Sequence, residues 1–200
     1  YFGPIVQPVY TLKNAIDDNV LCKYFYHPVT VTLNPSEQEK WNEISVKISR
    51  LYAMSQDQNT DDTGKYIAHL LIERSRIIKN AENKINCAVQ ILSKNYKEGQ
   101  KWIVYCDNRN QLQTVLTHLN KAGIRSYEYH SGLDDYIKKE TLKYFDDIGG
   151  VVVSIKCLDE GIDIPAAKRA IFIASSTSER EFIQRRGRVL RIAPGKKLAE

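Results

Sequence analysis

A chain of 200 residues that is 42% hydrophobic and 26% charged has the balance of an ordinary globular protein, which excludes disordered and fibrous classes. No run of about 18 apolar residues is present, so no membrane-spanning helix is expected, and no secretory signal pattern is visible. The formal charge of +5 is modest, but most of the excess lies in the last tenth of the chain, where Arg185, Arg186, Arg188, Arg191, Lys196 and Lys197 face only Glu181 and Glu200. Such a cluster suits phosphate or nucleic acid, although charge alone more often marks a solvated helix face.

The chain opens on Tyr1 rather than Met and reads as a segment of a longer protein. Residues 1–35 are irregular, with Pro4, Pro8, Pro28 and Pro35 as breakers, and Thr11 is placed to cap a short helix over Leu12 to Val20. Val29, Val31 and Leu33 alternate with Thr30, Thr32 and Asn34 at strand period. Ser36 and Glu39 form an S-x-x-E capping box that predicts a helix to about Met54, followed by a polar loop over 55–64. From Lys65 to Tyr96 the apolar residues recur at three- and four-residue steps, which predicts one long amphipathic helix or two in series.

Near Lys101 the period changes. Trp102 to Cys106 is a short apolar run, as in a strand buried on both faces. Helical spacing follows over Leu112, Val115, Leu116 and Leu119, stopped by Gly123. Arg125 to Tyr129 reads as a strand, Asp134 to Asp147 as a helix, Val151 to Ile155 and Arg169 to Ala174 as strands, and Glu179 to Arg191 as a helix. Strands alternating with helices predict an α/β fold with a parallel sheet. The expected organisation is a lead-in segment over 1–35 from a preceding domain, a helical elaboration over 36–98 and an α/β core over 99–200.

In such a sheet, ligands gather beyond the carboxyl ends of the strands. Three loops qualify: Asp107 to Asn110, His130-Ser131-Gly132, and Lys156 to Pro165. In the last, Gly161 permits close backbone approach and Asp163 offers an acceptor to a sugar hydroxyl, although G-x-D-x-P also suits a surface turn. On a helix, Gln184, Arg188 and Arg191 lie at i, i+4 and i+7, one face, so two guanidiniums point the same way and can clamp one phosphate. Gly187 costs such a helix about 1 kcal/mol against alanine, which suggests that something approaches the backbone there. Cys22, Cys87, Cys106 and Cys157 never form C-x-x-C, and the four histidines are scattered, so no metal site is expected and a reduced, intracellular setting is.

Lys101 through Asn108 resembles helicase motif IV, Val151 through Pro165 motif V, and Gln184 through Arg191 the Q-x-x-G-R-x-x-R form of motif VI, in the order of superfamily 2 nucleic-acid helicases and translocases. The resemblance covers 100–195. Tyr1 to Pro4 and Arg74 to Lys84 also resemble one subgroup, that of the DNA translocase subunit of TFIIH and restriction-type motors. It implies the second of two RecA-like domains, with ATP and Mg2+ held mainly by a first domain that carries the P-loop. No G-x-x-x-x-G-K-[ST] occurs here.

By the resemblance, Arg188 and Arg191 are arginine fingers, and Gln184 orients the γ-phosphate region. Gly161 and Asp163 contact the nucleotide, while Asn108, Arg109, His130, Ser131, Gly132 and Lys156 contact nucleic acid, DNA on the subgroup likeness. The expected partners are nucleic acid and the first RecA-like domain of the same chain, with the isolated segment inactive as an ATPase. Ile155 stands where relatives carry threonine, which keeps open a second reading as an ATPase-inactive helicase-like binding module. A dinucleotide enzyme is disfavoured, because no G-x-G-x-x-G follows the early strands.

Overall fold

The structure, a computed structural model, describes residues 11–55, 61–155, 167–173, 187, 189–192, 196 and 198–200. Helix α1 (Leu12–Asp17) begins at Thr11, whose hydroxyl accepts from Asn14 N while the Asn14 side chain accepts from Thr11 N, a reciprocal cap. It ends short of the expected Val20 because Asn19 takes a left-handed φ of 54°, which turns the chain into strand β1 (Lys23–Tyr24). The strand expected over Val29 to Leu33 is not formed: residues 25–34 carry no regular structure, and Val29 is 58% exposed. Alternation makes a strand only where a neighbour takes up its hydrogen bonds.

Helix α2 (Pro35–Ser55) is capped two residues earlier than the Ser36–Glu39 box suggests, at Asn34. Asn34 N donates to Glu37 Oε2 at 3.0 Å and Glu37 N donates to Asn34 Oδ1 at 2.9 Å. Pro35 fills the first helical position, where a missing N–H costs nothing, so the residue before it is the cap. The apolar stripe of 65–96 resolves into two helices, α3 (Asp61–Lys79) and α4 (Glu82–Asn95). Glu37 Oε1 accepts from Glu82 N at 2.9 Å, so one carboxylate caps α2 and also receives an otherwise orphaned donor at the start of α4. Helices α2 and α3 share a small core of Ile44, Ile48 and Leu70.

The rest follows the expected alternation: β2 (Lys101–Cys106), α5 (Arg109–Lys121), β3 (Ser126–Tyr129), α6 (Asp135–Ile148), β4 (Gly150–Ile155) and β5 (Arg169–Phe172). These strands form one parallel sheet in the order β3-β4-β2-β5. A short β6 (Leu198–Ala199) pairs in parallel with β1. Ala170 N donates to Glu200 O at 2.8 Å and Glu200 N to Lys168 O at 2.9 Å, stitching this pair to the β5 edge. Neither β1 nor β6 is legible as a strand in the sequence, because each spans two residues.

Residues alternate across the sheet, and the two faces bury different partners. Trp102, Val104, Cys106, Val151 and Val153 pack with Leu112, Val115 and Leu119 of α5 and with Ile85, Ala88 and Leu92 of α4. Ile103, Tyr105 and Val152 pack with Phe145 of α6 and with Cys22, Val189, Leu190 and Ala199. Most of these side chains are fully buried, each contributing roughly 1.5–3 kcal/mol. Helix α4, grouped by sequence with the 36–98 elaboration, shares the sheet core rather than the core of α2 and α3.

Candidate nucleotide and nucleic-acid site

Register brings the strand ends to one edge. Cys106 pairs with Ile155, Tyr105 with Phe172, and Tyr129 with Ser154, so the loops after β2, β3 and β4 begin side by side. This is where a parallel α/β sheet presents its ligands.

The loop after β2 is fixed by polar side chains. Asn108 caps α5, its Oδ1 accepting from Gln111 N at 3.0 Å. Its Nδ2 donates to Asn80 Oδ1 at the end of α3. Gln111 is only 3% exposed: its Oε1 accepts from Asp107 N at 2.8 Å and its Nε2 donates to Lys79 O at 3.3 Å. The segment from Arg74 to Lys84 therefore reaches the site through the C-terminus of α3. Burial holds the Lys84 ammonium below the ordinary lysine range, opposed by Asp107 and reinforced by Lys79. Burial also pushes the Cys106 thiol up to about 12, with Asp107 adding to the shift, so this thiol stays protonated and is no nucleophile. Removing the Asn108 cap (Asn108→Ala) is expected to cost about 1 kcal/mol and to loosen the Asp107–Gln111 turn; thermal unfolding and amide exchange over 107–111 check both.

The loop after β3 is built on a buried ring. His130 is 5% exposed, with Nε2 lying 2.8 Å from Glu128 Oε1 and 3.3 Å from Arg109 Nη2. One ring nitrogen cannot both donate to the carboxylate and accept from the guanidinium; the shorter contact fits Nε2–H donating to Glu128. Gln113 Nε2 donates to the same Glu128 oxygen at 2.9 Å. Ser131 and Gly132 are exposed beyond the ring. A Cβ at Gly132 would stand 3.3 Å from His130 Cε1 and Nδ1, so glycine allows the backbone to lie close over the imidazole.

Thus Asn108, Arg109, His130, Ser131 and Gly132, all chosen from sequence, are gathered at one edge. Asn108 and His130 spend their side chains on the loops themselves, leaving Arg109 and the 131–132 backbone as the exposed surface. Lys156, Gly161, Asp163, Gln184 and Arg188 lie outside the described residues. Arg191 is exposed and forms an antiparallel bridge with Leu21, while Cys22 N donates to Leu190 O at 2.9 Å.

Asn80 and Gln111 were not singled out from sequence. Gln111 had a usable signal, a polar residue four before Val115 on an apolar helix face. Lys196, counted there in a basic cluster, is 4% exposed. Among the described residues no group of three or more His, Cys, Asp or Glu side chains could hold a metal ion, and no helix is long and apolar enough to cross a membrane.

A parallel sheet covered on both faces, with loops converging at its carboxyl edge, defines a RecA-like α/β domain. Residues 83–193 match the family described as Helicase conserved C-terminal domain, and the chain belongs to that family, within superfamily 2. It is 28% identical over 193 residues to MJ1505 of Methanocaldococcus jannaschii, which carries an ATP-dependent RNA helicase name, covering 80% of this chain and 25% of that protein. It is 26% identical over 208 residues to the DNA 3'-5' translocase XPB2 of Sulfurisphaera tokodaii, covering 94% of this chain and 44% of that protein. The chain therefore spans less than half the length of either relative. The solved C-terminal part of the Fun30 ATPase domain shares the fold, with a TM-score of 0.68 at 11% identity over 90% of this chain and 84% of that one.

Proposed function

We propose that this chain is the second motor domain of an ATP-dependent DNA translocase or helicase. It completes an ATP site whose P-loop and Mg2+ ligands belong to a first RecA-like domain of the same polypeptide. The observation that carries this reading is the common edge at which the loops after β2 and β3 converge, on a chain of the helicase C-terminal family. Bound ATP·Mg2+ supplies the γ-phosphoryl group and the charge that a phosphoryl transfer disperses. The residues present fit that need, since Arg191 is exposed on a backbone pinned by Leu21 and Cys22.

In this reading Arg188 and Arg191 stabilise charge on the γ-phosphate, Gln184 orients that region, and Gly161 with Asp163 meets the nucleotide. Arg109, Lys156 and the backbone of 131–132 meet phosphates of the strand, with Asn108 and His130 shaping the loops that present them. The XPB2 likeness, over 94% of the chain, supports DNA as the substrate, while the MJ1505 likeness, over 80%, carries an RNA helicase name. The second reading, an ATPase-inactive binding module, is favoured by one feature: Ile155 replaces the hydroxyl expected in motif V, and the neighbouring Ser154 is fully buried.

The test is ATP hydrolysis by the full-length protein without nucleic acid, with DNA and with RNA. Stimulation greater by DNA is expected. Stimulation by RNA alone would move the substrate assignment to RNA, and no turnover under any condition would leave the binding module.

A further inference from the structure

Lys196 sits in a stretch whose charge suggests a solvated basic patch, yet its side chain is buried. Its Nζ donates to Ala167 O at 2.7 Å and to Val189 O. Burial lowers its pKa, the nearby Cys22 opposes this and Lys168 reinforces it. Burying an ammonium is costly unless its protons are spent on good acceptors, and here two backbone carbonyls take them.

Those carbonyls are informative. Gly187 and Val189 are helical and Leu190 is a turn, so the Val189 carbonyl belongs to the last turn of a helix. Carbonyls there lack partners within the helix and carry partial negative charge, which a cation satisfies. Ala167 is buried at the approach to β5, so the same ammonium ties the helix end to the sheet. From the other side, Cys22 N donates to Leu190 O and Leu21 bridges Arg191. Residues 189–191 are thus gripped by a side chain seven residues beyond Val189 and by the strand-like segment at 21–22.

We propose that Lys196 is a positioning residue for ATP hydrolysis: its ammonium caps the helix ending at Val189 and fixes the backbone from which Arg191 projects. The inference rests on the arginine-finger reading above. Its role is distinct from phosphate binding, because Nζ faces carbonyls and not solvent. A displacement of about 1 Å at a catalytic group can cost on the order of 10²-fold in rate.

The experiment compares native full-length protein with Lys196→Met, which keeps the stem and removes the donors, and with Lys196→Arg, which keeps charge and donors. DNA-stimulated kcat, KM for ATP and amide exchange over 187–192 are read together. Lys196→Met is expected to lower kcat on the order of 10²-fold with KM changed less than about threefold, and to speed exchange at 189–191 while β2 stays protected. Lys196→Arg is expected to recover part of kcat. Should Lys196→Met fail to fold, Lys196→Gln, with one donor group in place of the ammonium, takes its place. Unchanged exchange at 189–191 would overturn the tie. Faster exchange with native kcat, in a protein that Arg191→Ala inactivates, would overturn the positioning role. If the native protein hydrolyses no ATP, it is the motor reading that fails, and the exchange arm still decides whether Lys196 holds the helix end.

Discussion

Replacing Arg188 or Arg191 with alanine in the full-length protein is expected to slow nucleic-acid-stimulated ATP turnover by on the order of 10³–10⁵-fold. A phosphoryl transfer leaves the protein little covalent chemistry to perform, so its contribution is charge placed where the transition state develops it. Arginine suits that task because its planar fork stays ionised and reaches two oxygens at once, which lysine cannot reproduce. Arg188→Lys and Arg191→Lys should therefore recover little.

For Arg191 the geometry adds to the argument. Its backbone is bridged to Leu21 and its neighbour Leu190 is hydrogen-bonded to Cys22, while the residue itself is exposed. A guanidinium on so fixed a base loses less on ordering. For Arg188 the argument is the motif alone: the helix ends at Val189, short of the expected Arg191, which lies beyond it in a bridge with Leu21 and not on a shared helical face. Steady-state kcat and KM for ATP check the pair: a large fall in kcat with little change in KM marks a group that acts in the transition state. Turnover within threefold of native in both variants would remove motif VI from the reaction.

The second large effect is on stability. Gly149 ends α6 at φ 80° and ψ −167°, a region that only glycine occupies readily. A Cβ there would stand 2.6 Å from Gly99 O and 2.7 Å from Gly99 C, both backbone atoms that cannot swing aside. Gly149→Ala is expected to destabilise the domain by on the order of 3 kcal/mol, combining backbone strain with overpacking. The damage would spread, because Gly150 N donates to Gln100 O at 2.8 Å and the next residues form the strand beside β2. Gly123→Ala is the control: its φ is 69° but nothing lies within 4 Å of the added carbon, so about 1 kcal/mol is expected. Unfolding midpoints of the two variants beside native protein separate clash from strain; equal shifts would contradict the account.

Much of the fold is legible in the sequence. Trp102 to Cys106 and Val151 to Ile155 announce central strands because a sheet covered on both faces needs apolar residues on both, and both cores confirm it. Helix α5 follows from clean three- and four-residue steps over Leu112, Val115, Leu116 and Leu119, and α6 matches the helix expected over Asp134 to Asp147. The failures have physical causes. Val29 to Leu33 has strand alternation without a strand, since sequence does not show whether a partner edge exists. The cap of α2 falls on Asn34 rather than Ser36 because Pro35, with its fixed φ and no N–H, suits the first helical position.

The site was half legible. Asn108 and His130 were found as loop residues, but not that their side chains are consumed in building those loops. Lys196 shows the deeper limit. Charge counts treat every lysine as solvated, and only packing reveals one whose ammonium faces Ala167 O and Val189 O. The proposed site positions at 156, 161, 163, 184 and 188 lie outside the described residues, and the roles proposed for them rest on the motif resemblance.

The most direct test of a shared ATP site is photoaffinity labelling of the full-length protein with an ATP analogue reactive at its γ-phosphate, followed by peptide mapping. The account predicts label in the peptide spanning 184–191 as well as in the P-loop of the first domain, both competed away by ATP. Label confined to the first domain, in protein that hydrolyses ATP and binds DNA, would contradict it.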